Sequence, residues 1–353
     1  MIMKKSMIFA LVAVLVLAFV SGGSCAEKTF KIAFIPKIIG NTFFEVAGAH
    51  AVDMGKKLGA EVKYDGPAEA SVAGQVKFIN TFVNMGYDAI VVSSLDPKGL
   101  NQALERAIAK GVKVVTWDSD VDPAYRTFYV NQGTPDILGR LLVNMVINQL
   151  GTWHGKLKVA FHYSSPTVTD QNSWVNFAKK IIGEEHPDWE IVTTQYSDMN
   201  FPKAVSVGEQ VLKTYPDVNA IICPDSTAFP GQAKAVENLN MIGKVIVVGF
   251  TTPSTIKQYI ERGTVLQGGL WDCGVQGAAG VYVAYQLLKG EKIEVGTSFE
   301  IPGIPGKFDV VPNKAQGGEM YEKPEYADRK DNGIVLLPER LVFTRYNISK
   351  YNF

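Results

Sequence analysis

The residues best suited to hold a small ligand lie in Ser164-Ser165-Pro166-Thr167-Val168-Thr169-Asp170-Gln171-Asn172, a polar stretch that follows the apolar run Val159-Ala160-Phe161. An ionised Asp170 only accepts hydrogen bonds, whereas the Gln171 amide both donates and accepts. Side by side they suit a ligand carrying several hydroxyl groups. The local alternative is that Thr169 or Asp170 caps a helix beginning near Gln171. Similar groups recur at the ends of other apolar runs. Lys37 follows Ile32-Ala33-Phe34-Ile35, with Asn41, Phe43 and Phe44 just beyond. Asp118-Ser119-Asp120 follows Val114-Val115-Thr116-Trp117, Pro224-Asp225-Ser226 follows Ile221-Ile222-Cys223, and Trp271-Asp272 follows Leu270. Taken singly, each has a plain structural role: Asp118, Asp225 and Asp272 as helix caps, Lys37 as a solvated cation, Phe43, Phe44, Trp117 and Trp271 as core. Recurrence is what favours a site, with acidic or amide groups at several strand ends and aromatics beside two of them.

The charges define the ligand. Asp118, Asp170, Asp225 and Asp272 against Lys37 alone repel phosphate and carboxylate. Carboxylates enclosed in a cleft must be hydrogen-bonded, because unpaired buried charge is costly. The hydroxyls of a neutral polyol satisfy them, at roughly 1.5–3 kcal/mol per charge-assisted bond. Phe43 or Phe44 is placed to cover the apolar face of a small ring. A small, neutral, polyhydroxylated ligand is expected.

The elements that position these groups follow a cadence. Strands are expected at 31–35, 61–64, 87–92 and 112–117, with helices at 42–58, 71–85 and 100–109 between them. Asn41 reads as a helix N-cap, and Gly59, Gly86 and Gly111 close the helices. Helix, glycine and strand recur about every 25 residues, the signature of βαβ units and a parallel sheet. After Phe128-Tyr129-Val130 the cadence restarts, with strands at 157–161, 190–194, 220–223, 245–250 and 265–270. Helices are expected at 174–182, 202–215, 228–239, 254–262 and 275–288. The fold class is therefore α/β, as two doubly wound parallel-sheet lobes whose strand ends converge on one cleft. Residues 293–308 are rich in Gly and Pro, 307–311 offers one more strand, and 312–331 is polar and irregular. Leu341-Val342-Phe343 is too apolar to be left in solvent.

Composition excludes other classes. Lys and Arg balance Asp and Glu and do not cluster, so no nucleic-acid footprint is visible. No G-x-S-x-G, P-loop, G-x-G-x-x-G or H-E-x-x-H motif is present. His50, His154, His162 and His186 are scattered without metal-ligand spacing, and no metal or cofactor is expected. At the N-terminus, Lys4 and Lys5 precede an apolar run from Met7 to Val20 and the small residues Ser21-Gly22-Gly23-Ser24-Cys25-Ala26. Residues 1–26 are accordingly expected to be a secretory signal peptide. Cys25 is the alternative lipidation site, although Gly22 stands where a lipobox usually carries Leu. The expected location is periplasmic, or membrane-anchored if Cys25 is lipidated. Cys223 and Cys273 both follow apolar runs and are expected to be small buried residues; a disulfide between them stays open.

These residues together resemble a known family. Ile32-Ala33-Phe34-Ile35-Pro36-Lys37, Tyr64-Asp65-Gly66-Pro67, Thr116-Trp117-Asp118-Ser119-Asp120, Asn131-Gln132-Gly133-Thr134-Pro135, Tyr163 to Gln171 and Gly333 to Arg340 are similar to segments of the type I periplasmic sugar-binding proteins. More narrowly, they resemble the autoinducer-2-binding receptors of Lsr-type importers. The resemblance implies a non-catalytic, monomeric receptor with lobes joined by a multi-strand hinge, which takes the unborated furanosyl form of autoinducer-2 to an ABC permease. It carries ligand contacts onto Lys37, Asp118, Asp170, Gln171 and Pro224, with Ser226 where the family usually has Ala. The expected lobes are 27–131 plus about 273–305, and 132–272 plus about 306–353. Crossings are expected near Val130–Gly133, Trp271–Gly274 and Pro302–Gly306. Alternatives are a receptor for a simple neutral sugar such as rhamnose or ribose and, more remotely, an exported carbohydrate-active enzyme whose carboxylates work as in a glycosidase.

Overall fold

The computed structural model describes residues 28–151 and 155–353. The expected signal peptide, Cys25 and His154 lie outside the described residues. The chain opens with β1 (Lys31–Ile35), α1 (Thr42–Leu58), β2 (Glu61–Tyr64), α2 (Val72–Asn84), β3 (Ala89–Val92), α3 (Asn101–Ala109), β4 (Lys113–Trp117) and β5 (Phe128–Asn131). Local signals set these boundaries. The Asn41 side chain accepts the Phe43 amide at the start of α1, and Gly59, at φ 71°, ends that helix in the left-handed conformation. Ser71 caps α2 in the same way through the Gly74 amide. β3 is buried at every residue, as a strand covered on both faces must be.

The second half continues through α4 (Pro135–Leu150), β6 (Lys158–Tyr163), α5 (Thr169–Glu185), β7 (Glu190–Tyr196), α6 (Phe201–Thr214), β8 (Ala220–Cys223), α7 (Ala228–Asn238), β9 (Ile246–Gly249), α8 (Pro253–Glu261) and β10 (Gly268–Leu270). The chain then returns with α9 (Cys273–Lys289), β11 (Ser298–Ile301), β12 (Ile304–Val311), β13 (Gly333–Leu336) and β14 (Leu341–Phe343). α4 is not among the helices expected from the sequence; its signal is Pro135 in the first turn directly after Thr134.

The first sheet has eight strands in the order β11-β12-β13-β5-β4-β3-β1-β2, the second four in the order β7-β6-β8-β9. Each parallel core thus carries its first strand between its second and third, a doubly wound order with a switch point beside β1 in one lobe and β6 in the other. β11 and β12 add an antiparallel edge to the first sheet. β10 pairs antiparallel with β14, and a parallel bridge from Phe250 to Gly269 ties that pair to the end of β9.

Two expectations about the C-terminal third need correction. Residues from about 306 onward are expected in the second lobe, but β12 and β13 belong to the first sheet, β13 pairing parallel with β5. β14 and the residues after it do join the second lobe, where the Ser254 amide and hydroxyl donate to the Phe353 carbonyl oxygen at 3.2 and 2.9 Å. Pro302–Gly306 is not a crossing either: Ile301 pairs with Ile304 across a tight hairpin, with Gly303 at φ 79°. The third crossing lies at 337–340, between β13 and β14. The other two fall as expected, between β5 and α4 and between β10 and α9.

α9 packs on α1 with almost no space between the backbones. A Cβ built on Gly277 would stand 2.1 Å from the Ala47 carbonyl oxygen, whereas one on Gly183 of α5 meets nothing within 4 Å. Gly277→Ala is expected to destabilise the protein by about 1–3 kcal/mol through overpacking. Gly183→Ala is expected to stabilise it by about 0.5–1 kcal/mol through helix propensity. Opposite shifts in thermal midpoint test the pair.

Candidate functional site

Between the lobes lies a cavity, the interlobe position where small-molecule sites commonly form. Lys37, Phe43, Phe44 and Asp118 line it from the first lobe, and Asp170, Gln171, Pro224, Asp225 and Ser226 from the second, with Trp271 at a crossing. Of the candidate ligand contacts and the lining residues beside them, only Asp272 is not in this lining. That residue caps α9, accepting the Val275 amide at 2.9 Å, and stays outside the cavity lining. For Asp272 the local role is the correct one.

Lys37 is the centre of the site. It leaves the end of β1 and is 1% exposed. Its Nζ stands 2.9 Å from Asp118 Oδ2 on its own lobe and 3.3 Å from Asp170 Oδ1 on the other. Burial alone would depress a lysine, but the two carboxylates outweigh it and hold the Lys37 ammonium above the ordinary lysine range. Burial pushes Asp170 up to about 6; Lys37 opposes the rise and the Asp118 charge adds to it.

The carboxylates are fixed from several sides. Asp118 sits at φ 60°, a left-handed turn beyond β4. Its carbonyl oxygen accepts the Tyr129 hydroxyl at 2.7 Å and the Gln132 amide at 3.0 Å, and its carboxylate accepts the Ser93 hydroxyl at 2.6 Å. Asp170 lies in the first turn of α5. The cap position falls on Val168, without a side-chain bond, so neither Thr169 nor Asp170 takes it. The Asp170 carboxylate accepts the Ser119 hydroxyl from the other lobe, and the Thr169 hydroxyl crosses to the Asp120 carbonyl oxygen at 3.2 Å.

Gln171 accepts the Ser164 hydroxyl and amide on Oε1 and donates from Nε2 to Asp225 Oδ2 at 3.1 Å. Asp225 lines the cavity, while the cap position of α7 falls on Thr227. One Asp225 oxygen faces Gln171, while the other accepts the Thr227 and Ala228 amides at 3.1 and 2.7 Å. Burial raises its pKa, and those hydrogen bonds pull it back. The Ser226 hydroxyl accepts from Asn41 Nδ2 at 3.3 Å across the cleft, beside a second bond of 3.1 Å from the same amide to Thr227.

Aromatics close the apolar side. Phe43 packs edge-on to Trp271 at 5.9 Å, and Trp271 meets Trp174 and Phe250 at 5.7 Å each. Phe43 and Phe44 are therefore core and lining at once. Trp271 also begins a hydrogen-bonded chain through the hinge. Its indole donates to Gln276 Oε1 at 2.7 Å, and Gln276 Nε2 donates to Gln132 Oε1 at 2.7 Å. The Gln132 carbonyl oxygen accepts Arg340 Nε at 2.6 Å. All three crossings thus meet at Gln132.

Four lining residues were not foreseen: Trp174, Met199, Phe250 and Leu270. Phe250 and Leu270 stand at strand ends, and Trp174 lies four positions after Asp170 on α5, so periodicity contained a signal for them. Met199 had none. Among the described residues no cluster of His, Cys, Asp and Glu suits a metal ion. His162 is buried against Gln232, and burial lowers its pKa to about 4. Cys223 and Cys273 are buried and free, which removes the disulfide alternative. Among the described residues no helix is long and apolar enough to cross a membrane.

Two lobes hinged at three crossings around a polar cavity define a solute-binding receptor. The chain belongs to the periplasmic binding protein family, whose domain model matches residues 32–292. Its fold is similar to that of LsrB from Clostridium saccharobutylicum in complex with AI-2, at 42% identity and a TM-score of 0.87, over 92% of this chain and 100% of that one. It is 25% identical over 276 residues to the D-ribose/D-allose-binding protein of Pseudomonas aeruginosa, covering 75% of this chain and 84% of that protein. An ABC transporter periplasmic-binding protein of Escherichia coli is 26% identical over 204 residues, 57% of this chain and 62% of its own length. The chain thus spans less than two thirds of that last relative.

The raised pKa of Asp170 has a direct consequence. Its value lies above the ordinary 3.8, so the folded protein takes up this proton more readily than the unfolded chain. The associated stability is full below about 3.8 and is lost as pH rises through about 6. A ligand that needs the carboxylate ionised must expel the proton, so affinity should be flat above pH 7 and fall below about 6, by at most about tenfold per pH unit. Calorimetry at pH 5 and 7.5 tests this, and Asp170→Asn should flatten the profile.

Proposed function

We propose that this protein is the exported receptor of an ABC importer and that its interlobe cavity binds the unborated furanosyl form of autoinducer-2. In this reading residues 1–26 direct export, with Cys25 as the alternative lipid attachment site. A membrane permease receives the ligand from a monomeric receptor, and no nucleic acid takes part. Lys37, Asp118, Asp170, Gln171, Pro224 and Ser226 hold the ligand, while Phe43, Phe44 and Trp271 cover its carbon skeleton.

The observation that carries the reading is the charge of the cavity wall. Asp118, Asp170 and Asp225 face it against Lys37 alone among its charged side chains. Ligand hydroxyls donate to the carboxylates, and Lys37 and Gln171 retain donors for ring and carbonyl-derived oxygens. A borate ester would bring a negative charge into this acidic enclosure, which favours the unborated form. The Ser226 hydroxyl, which departs from the usual Ala, is engaged with Asn41, so its presence is compatible with the same ligand. A simple neutral sugar such as ribose or rhamnose has the same donor chemistry. The 42% identity to a receptor crystallised with AI-2, against 25% to the ribose/allose receptor, supports autoinducer-2 over it. Every carboxylate at the site is committed to holding a geometry, which supports retention without turnover and stands against the carbohydrate-active enzyme.

Titration calorimetry with autoinducer-2, with and without borate, and with ribose and rhamnose decides between the readings. Autoinducer-2 should bind most tightly and be recovered unchanged. Asp170→Ala should leave the fold intact and weaken binding by at least about 30-fold, or about 2 kcal/mol, because it removes one partner of a buried charge pair. Unchanged affinity takes Asp170 out of the site, and release of a phosphorylated or carboxylated compound on denaturation overturns the reading.

A further inference from the structure

The loop after β7 is held in an unusual backbone conformation. Asp198 and Met199 are consecutive and both have left-handed φ angles, 51° and 55°. Aspartate tolerates this region; methionine enters it at a cost, so its surroundings must impose it. They do so through several contacts. The Ser197 and Asp198 amides donate to the Tyr163 and Ser164 carbonyl oxygens at 3.0 and 2.8 Å, and the Asn200 amide donates to the Ser197 carbonyl oxygen at 2.9 Å. The Asn200 side chain caps α6, and the Lys203 ammonium pairs with the Asp198 carboxylate.

The outcome is that Met199 points inward. It lines the ligand cavity and is 9% exposed. It also forms a small apolar cluster with Val168 of its own lobe and Leu95 of the other, against which Ile38 and Val72 pack. This cluster is separate from the large cores of the lobes and spans the cleft. The Thr167 hydroxyl crosses beside it to the Leu95 carbonyl oxygen at 3.3 Å.

We infer that Met199 is the seal and the size gate of the cleft: its thioether side chain covers the cavity by packing on Leu95 of the opposite lobe and fixes the largest polyol that fits beneath. The size-gate half of this rests on the polyol reading given above. An unbranched thioether moulds to its neighbours but offers no useful hydrogen bond. A ligand hydroxyl directed at it would be buried without a partner, so a larger polyol with one more hydroxymethyl group on that side is rejected. Leu95 takes part in the seal but does not line the cavity, so it acts as a positioning residue.

The test compares wild type, Met199→Ala and Leu95→Ala by stopped-flow dissociation and calorimetry with autoinducer-2, ribose and a hexose such as allose. Both variants should release autoinducer-2 at least about tenfold faster. Met199→Ala alone should gain affinity for the hexose relative to the smaller ligands, while Leu95→Ala keeps the wild-type ranking. Wild-type dissociation rates and ranking in Met199→Ala overturn the inference. If wild type binds none of the panel, the polyol reading fails by itself, and the seal is judged without ligand. Trp174 and Trp271 line the same cavity, so acrylamide quenching of tryptophan emission must rise in both variants if the seal exists. Equal quenching in all three proteins rejects it. Should Met199→Ala not fold, the Leu95→Ala rates and quenching decide.

Discussion

A lysine ammonium that has lost its water must be given charge in return, and the geometry of this protein follows from how Lys37 receives it. One carboxylate comes from its own lobe and one from the opposite lobe, at 2.9 and 3.3 Å. Removing such a group from water without partners costs far more than a folded domain can spare. The end of β1, the left-handed turn after β4 and the first turn of α5 are therefore bound to one point. The doubly wound order supplies the means. In each lobe the chain reverses direction of build at the first strand, and the polar side chains beyond that strand emerge into the crevice so formed. Facing two such crevices produces a cavity whose walls are strand ends and helix starts, the positions where side chains are most firmly placed.

The polar groups around this centre are shared between local structure and the cavity. Asp225 accepts the Thr227 and Ala228 amides with one oxygen and orients Gln171 with the other. Asn41 caps α1 and also reaches Ser226 and Thr227 on the opposite lobe. A side chain with two such partners has little freedom left, so the site loses little conformational entropy when a ligand enters. The aromatic wall works in the same manner. Trp174, Phe250 and Trp271 support one another edge to face and so present a rigid apolar surface to a ring.

Much of this was legible in the sequence because local chemistry determines it. The strand–helix cadence, Asn41 and Ser71 as caps, Gly59 as a helix end and the polar residues after apolar runs all depend on neighbours within a few positions. The cavity-lining places of Lys37, Asp118, Asp170, Gln171, Pro224 and Ser226 follow from those strand ends. Two kinds of feature were not legible. Asp272 and Asp170 carry the same side chain beside a helix start, yet Asp272 caps its helix and Asp170 meets a lysine 133 positions away. Only the tertiary arrangement separates these uses. The placement of β12 and β13 in the first sheet, and of Met199 over the cavity, likewise depends on long-range pairing and on a backbone twist that no periodicity encodes.

Trp271 belongs to two assemblies. Its ring is part of the chamber wall, while its indole N–H starts the amide relay from Gln276 to Gln132, where the three connecting segments come together. Wall and axle thus share a moving part. Whatever presses on that ring therefore bears on the segments that join the lobes.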